Sequence, residues 1–272
     1  MSSKANKNNH TTAYLDLNQQ AWNERTLRHI KSDFYDVAGF LSGKCSLNTI
    51  EREALGDVNN QSLLHLQCHF GLDTLSWAKR GANVTGIDLS PVAIKQARQL
   101  ANKTGLNANF ICNDIYQYFD EKQQEKTSEL FDIVFTSYGV ICWLSDLNRW
   151  AQGLSARLKP HGVFYLAEFH PINDLLSGDD YFDTKQAQII QEPTYTENHN
   201  HEVNTLALWS HSLSDVINAL LNAGIMIDAF NEYPYSPYAV SASLVEVSQG
   251  QYASTHQGKS VPLIYSIKGH KA

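Results

Sequence analysis

The stretch LLHLQCHFG, Leu63 to Gly71, holds three donors that suit a metal, His65, Cys68 and His69, and a turn at Gly71 that suits a nucleotide-like ligand. A metal needs those donors to converge. They are crowded into a strand and a tight turn, and no second dense ligand cluster supports them, so no metal is expected. A strand-to-helix loop instead offers backbone N–H groups and a helix N-terminus to a ligand, and here only Gly71 supplies positive φ and close approach freely. The residues further along decide how to read that loop. Asp88 closes VTGID about 20 residues on, where a carboxylate can accept from both hydroxyls of a ribose. Asn113 and Asp114 follow the next apolar run in CNDIY, where a carboxylate can accept from the exocyclic amine of an adenine. Ser137, Tyr138 and Gly139 end FDIVFTSYG, and Glu168 and His170 end AEFHP. If the substrate must lose a proton, histidine titrates in the right range to take it.

Some of these residues also have plain structural readings. His65 alternates with apolar neighbours and reads as a hydrogen-bonded core histidine. Asp73, in a first helical turn, reads as a charge favoured by the helix dipole. Trp143, Trp150 and Trp209 read as packing anchors, and His199 and His201 as a solvated loop.

The elements that must position the chemistry follow from the apolar spacing. Ser62–Gln67, Asn83–Asp88, Ala108–Cys112, Phe131–Ser137 and Val163–Phe169 read as buried parallel strands, with helices at Leu72–Lys79, Val92–Lys103 and Leu147–Leu158 between them. Strands alternating with helices imply right-handed crossovers and a doubly wound α/β sheet. A helix at Leu213–Asn222 and strands at Met226–Phe230 and Leu263–Lys268 complete seven strands. No crossover helix separates the final two, so the last strand is expected antiparallel. Residues 1–12 are polar and read as a disordered tail, and 13–60 as a helical appendage whose residues recur at helical spacing to about Leu41. Residues 171–210 have no clear period but carry Tyr181, Phe182, Tyr195 and Trp209, which reads as a lid or substrate-binding insertion.

LLHLQCHFG, VTGIDLS, CNDIY, FDIVFTSYG and RLKPHGVFYLAEFHP, taken in series, resemble the class I S-adenosylmethionine-dependent methyltransferase family, and LxPxG before an apolar strand is characteristic of it. HLQCHFGLDTLSWA is similar to an uncharacterised bacterial branch of that family. The resemblance implies a Rossmann-like sheet, S-adenosylmethionine as cofactor and S-adenosylhomocysteine as product. It implies that Gln67, Cys68, His69, Phe70 and Gly71 wrap the methionine part, that Asp88 binds the ribose with Leu89 beside the adenine, and that Asn113, Asp114 and Ile115 hold the base. Ser137, Tyr138 and Gly139 would pass near the sulfonium. Tyr138, Glu168 and His170 are the catalytic candidates. The sequence departs from the family at His65, where an acidic residue is usual, and at Gln67 and His69, where glycines are usual.

A net charge of −7 gives no positive field to hold nucleic acid. No apolar run approaches a membrane span, and the polar start lacks a signal-peptide core. Four scattered cysteines without a CxxC pair suggest reduced thiols. The expectation is a cytoplasmic enzyme, a monomer or homodimer, acting on a small-molecule acceptor with neither nucleic acid nor membrane as partner.

Overall fold

A computed structural model describes residues 2–125, 129–241 and 243–272. In chain order the first elements are α1 (Ser2–His29), α2 (Val37–Leu41), α3 (Thr49–Leu55), β1 (Ser62–Leu66), α4 (Leu72–Lys79), β2 (Asn83–Asp88), α5 (Pro91–Thr104), β3 (Ala108–Cys112), α6 (Ile115–Gln124) and β4 (Phe131–Ser137). They continue with α7 (Leu147–Arg157), β5 (Leu158–Phe169), α8 (Ile172–Ser177), β6 (Gln188–Pro193), β7 (Val203–Leu208), α9 (Leu213–Asn222) and β8 (Ile225–Tyr233). Short strands β9 (Val245–Ser248), β10 (Gln251–Ala253), β11 (Thr255–His256) and β12 (Lys259–Ser260) precede β13 (Ile264–Lys271).

Seven strands form one sheet in the order β3-β2-β1-β4-β5-β13-β8. The first five run parallel, whereas β13 is antiparallel to both β5 and β8, as the missing crossover helix predicts. Strand order reverses between β2-β1 and β4, so a crevice opens beyond the carboxyl ends of these strands. The alternation of side chains along β1 builds both layers: Leu64 and Leu66 pack with Trp150 and Leu154, while Leu63 packs with Trp77 on the opposite face. Trp77 and Trp150 are fully buried, and truncating either to alanine costs about 3–5 kcal/mol.

Local signals fix the helix starts at the crevice. The Ser90 hydroxyl accepts from Ala93 N–H, Pro91 opens α5, and Gly105 ends it in the left-handed conformation. Asp114 caps α6 by accepting from Gln117 N–H, so CNDIY leads into a helix that the apolar pattern alone did not mark.

Three further departures concern the periphery. Helix α1 begins at Ser2, where the sequence predicts an irregular tail; no glycine or proline occurs before Gly39 to interrupt it, and Met1 lies outside the described residues. The helical spacing to Leu41 is broken by turns, with Asp36 in the left-handed region capping α2. Inside 171–210, β6 and β7 form an antiparallel hairpin, from Gln188 opposite Leu208 to Pro193 opposite Val203.

Helix α1 lies along that hairpin. Asn18 both donates to Ala207 O (2.8 Å) and accepts from Ala207 N–H (2.9 Å), and buried Arg25 reaches Glu192 at 3.2 Å. The Asn198 amide donates to Arg28 O, and the Glu197 carboxylate accepts from Asp33 and Phe34 N–H.

Candidate active site

The loop after β1 makes its turn with three left-handed residues: Gln67 at φ 54°, His69 at 51° and Gly71 at 80°. Two of them carry side chains, at a cost on the order of 1 kcal/mol each. Fixed contacts hold the strained turn. His69 N–H donates to Asp88 Oδ2 (2.8 Å), Cys68 N–H to Ile87 O (2.8 Å), and the Gln67 amide to Val140 O (3.0 Å). Gly71 itself admits no side chain, since a Cβ would stand 2.7 Å from the Phe110 ring.

A cavity of about 800 Å³ opens over this loop at the carboxyl edge of the sheet. Every residue expected to touch the cofactor lines it: Gln67 to Gly71, Asp88, Leu89, Asn113 to Ile115, and Ser137 to Gly139. Asp88 accepts from His69 and Ser90 N–H, both at 2.8 Å, and burial raises its carboxyl to about 6 against those two bonds. Asp114 also lines the cavity while capping α6, and burial raises its carboxyl. Leu89 offers its carbonyl to Gln19 of α1, and Asn113 donates to Glu121. Gly139 N–H donates to the Glu168 carboxylate.

Two catalytic candidates, Glu168 and His170, are not among the residues that line this cavity. The Glu168 carboxylate, 5% exposed, accepts from the N–H groups of Gly139, Val140, Ile141 and Phe169. Its oxygens are occupied in shaping the loop after β4, and it borders a second cavity of about 460 Å³ in place of the first. His170 also stays outside the first cavity's lining. Its Nδ1 accepts from Ile172 N–H, so its Nε2–H donates to Glu232 at 2.9 Å, which leaves no basic nitrogen free. Tyr138 does line the first cavity; φ is 42° and its hydroxyl donates to Glu51 Oε2 at 2.8 Å. Burial holds that phenol far above its ordinary range.

Other residues reach the cavity without a clear sequence signal. Asp73 accepts from the hydroxyls of Ser46 (2.6 Å) and Ser137 (3.4 Å), and burial raises its carboxyl to about 6. It does more than complement the helix dipole. Glu51 lies behind it, raised to about 7 by burial and then by the Asp73 charge. Of the tryptophans read as anchors, Trp150 is one, but Trp143 and Trp209 line the cavity. Tyr195 also lines it, while Tyr181 and Phe182 pair with each other elsewhere.

His65 and His69 face different partners. His65 Nδ1 meets the Thr74 hydroxyl at 2.8 Å, in the core beside Phe135. His69 Nε2 meets His29 Nδ1 at 2.9 Å, and His29 Nε2 meets the Thr194 hydroxyl at 2.6 Å, tying the first loop to α1 and the hairpin. Burial drives His29 to about 2 and His69 to about 3, so both rings are neutral at physiological pH. Trp22 packs edge-on against His69 and Trp143 from α1.

The sequence of residues 63–162 matches the family model of a methyltransferase domain. Residues 63–162 belong to the methyltransferase domain family. The domain is similar to the ubiquinone biosynthesis O-methyltransferase of Coxiella burnetii, 26% identical over 141 residues, which are 51% of this chain and 57% of that protein. It is also similar to the enzyme of the same name from Actinobacillus pleuropneumoniae, 31% identical over 121 residues, 44% of this chain and 50% of that one. The chain thus spans about half the length of the curated relatives it matches. An S-adenosylmethionine-dependent methyltransferase from Clostridium acetobutylicum shares the fold, with a TM-score of 0.57 at 14% identity over 93% of this chain and 99% of its own. Within the methyltransferase domain, the run that departs from the family's glycines keeps the left-handed backbone that glycines would supply.

Proposed function

We propose that the protein is an S-adenosylmethionine-dependent methyltransferase that moves a methyl group by direct in-line transfer to a small molecule. The observation that carries this reading is the sharing of one cavity by the left-handed run Gln67, His69, Gly71 and the carboxylate of Asp88. Each Asp88 oxygen accepts one N–H and keeps a second lone-pair site for a vicinal diol. Gln67 Oε1 is buried with no hydrogen-bond partner among the described residues, an acceptor that suits the ammonium group of a bound methionine moiety. A dinucleotide fits less well. Arg25, Lys44 and Arg149, the arginines and lysine in the cavity wall, are paired with Glu192, Asp36 and Asp120, so none is free for a diphosphate.

Bound S-adenosylmethionine would supply an electrophilic methyl on a sulfonium. The chain's own work is to hold donor and acceptor in line, worth roughly 7–11 kcal/mol at best, and to exclude water. In this reading residues 13–60 and the 171–210 insertion close the site, and Tyr138 borders the reacting groups. With His170 and Glu168 engaged elsewhere, proton transfer falls to cavity residues. Free thiols at Cys45, Cys68, Cys112 and Cys142 suit a reducing, cytoplasmic setting, and no described helix is long and apolar enough to cross a membrane.

Calorimetric titration with S-adenosylmethionine and S-adenosylhomocysteine tests the reading. Both are expected to bind the parent protein and to bind Asp88→Ala at least tenfold more weakly. A parent protein that binds neither ends the proposal, and binding without transfer to any of a broad acceptor panel turns it toward a non-catalytic binding protein.

A further inference from the structure

Beyond the loop and the Asp88 edge, the same cavity has a second half of different chemistry. Five aromatic rings that line it follow one another in an arc: Tyr138 and Tyr238 at 5.1 Å between centroids, Tyr238 and Phe34 at 5.5 Å, Phe34 and Tyr195 at 5.3 Å, Tyr195 and Tyr35 at 6.5 Å. They come from four separate segments of the chain, Phe34 and Tyr35 being neighbours, so the arc is a product of the tertiary fold. Asp73 lines the same cavity and accepts from the hydroxyl of Ser137, the residue before Tyr138; burial, and then the Asp73 charge, raises the Tyr238 phenol.

Charge separates the possible occupants. Of the five aspartates and glutamates lining the cavity, Asp36 and Glu192 are paired with cations, while Asp73, Asp88 and Asp114 are not paired with any among the described residues. The proposed function uses Asp88 and Asp114 for the adenosine and Gln67 for the methionine ammonium. That leaves the Asp73 carboxylate, in the first turn of α4, held by the hydroxyls of Ser46 and Ser137 and paired with no cation among the described residues. An anionic acceptor would meet repulsion there. A cation would gain from the carboxylate and from the ring faces together.

Resting on the methyltransferase reading, we propose that the methyl acceptor is an organic amine, held as its ammonium ion between the aromatic arc and the Asp73 carboxylate. An ammonium must lose one proton before its lone pair can attack, and Asp73 is placed to take it. The N–C bond then forms as the S–C bond breaks, its electron pair stays on sulfur, and the positive charge moves to the methylated nitrogen. Asp73 returns its proton to water.

The test uses the full chain saturated with S-adenosylhomocysteine, whose own binding is measured first. Tetramethylammonium, choline, benzylammonium and phenethylammonium are then titrated against neutral partners of matched shape, such as 3,3-dimethylbutan-1-ol for choline and benzyl alcohol for benzylammonium. At least one ammonium is expected to bind tenfold or more tightly than its neutral partner. Asp73→Asn and, independently, Tyr238→Leu are each expected to remove most of that preference while the affinity for S-adenosylhomocysteine changes less than threefold. Equal binding of every charged and neutral pair overturns the proposal. So does an Asp73→Asn variant that loses S-adenosylhomocysteine tenfold with the ammonium preference intact, because the carboxylate then serves the cofactor. If S-adenosylhomocysteine does not bind the parent protein, the underlying methyltransferase reading fails instead.

Discussion

Asp73 shows how a residue's role depends on where the chain brings it. Its sequence position in a first helical turn is legible, but the two hydroxyls it accepts come from residues 27 and 64 positions away. Burial raises its folded carboxyl from 3.8 to about 6, so the folded state gains stability by taking up that proton as pH falls through 6, and lacks this gain at higher pH. Asp73→Asn is therefore expected to raise Tm relative to the parent at pH 8, with the difference shrinking or reversing by pH 4.5. Thermal denaturation across that range reads it, and a pH-independent difference would contradict the assignment. Glu168 makes the complementary case. Glu168→Gln puts an amide N–H₂ against backbone donors and is expected to cost about 3 kcal/mol in urea denaturation. His170→Gln, outside the cavity lining and engaged with Glu232, is expected to leave any methyl-transfer rate unchanged within twofold.

At the level of elements, the sheet is readable because its central strands β1, β2 and β4 are buried on both faces and helices such as α5, α7 and α9 are amphipathic. Asn83–Asp88, Ala108–Cys112, Phe131–Ser137, Leu72–Lys79 and Leu213–Asn222 have the same ends in the sequence reading and in the structure. The β6–β7 hairpin escaped that reading. QIIQEP does alternate, half-buried with exposed, but its hydrogen-bonded partner β7 lies beyond a nine-residue polar connection, residues 194–202, and it is β7 that packs against α1. Helix α6 was missed for a different reason, since its signal was the Asp114 cap and not an apolar stripe. The left-handed Gln67 and His69 could not be read from residue types that usually avoid that conformation. Because Asn18 satisfies both backbone groups of Ala207, Asn18→Ala leaves a buried N–H unpaired and is expected to cost about 1–3 kcal/mol. Hydrogen exchange should show the loss concentrated in β7 and the facing turns of α1. Uniform loss across the sheet would mean that the contact does not join those two elements locally.

At the scale of the whole molecule, the cavity is a joint product of the parallel sheet below and the α1–hairpin pair above. A ligand that fills it should stabilise both together. S-adenosylhomocysteine at a hundredfold its Kd is expected to add about 2.7 kcal/mol, and to protect amides in α1 and in β6–β7 to the same degree. Protection confined to the β1 loop would show that the cover is not coupled to the site. The contacts that join α1 to the hairpin also have a temporal side, for they span up to 189 residues of chain. At 5–20 residues per second a ribosome needs on the order of 10–40 s to make that length. During this interval the hydrophobic face of α1, including Trp22, has been synthesised while its hairpin partner has not. A binding-competent cavity therefore comes late in the life of each new chain, and until then the first helix is a natural client for whatever shields nascent apolar surface.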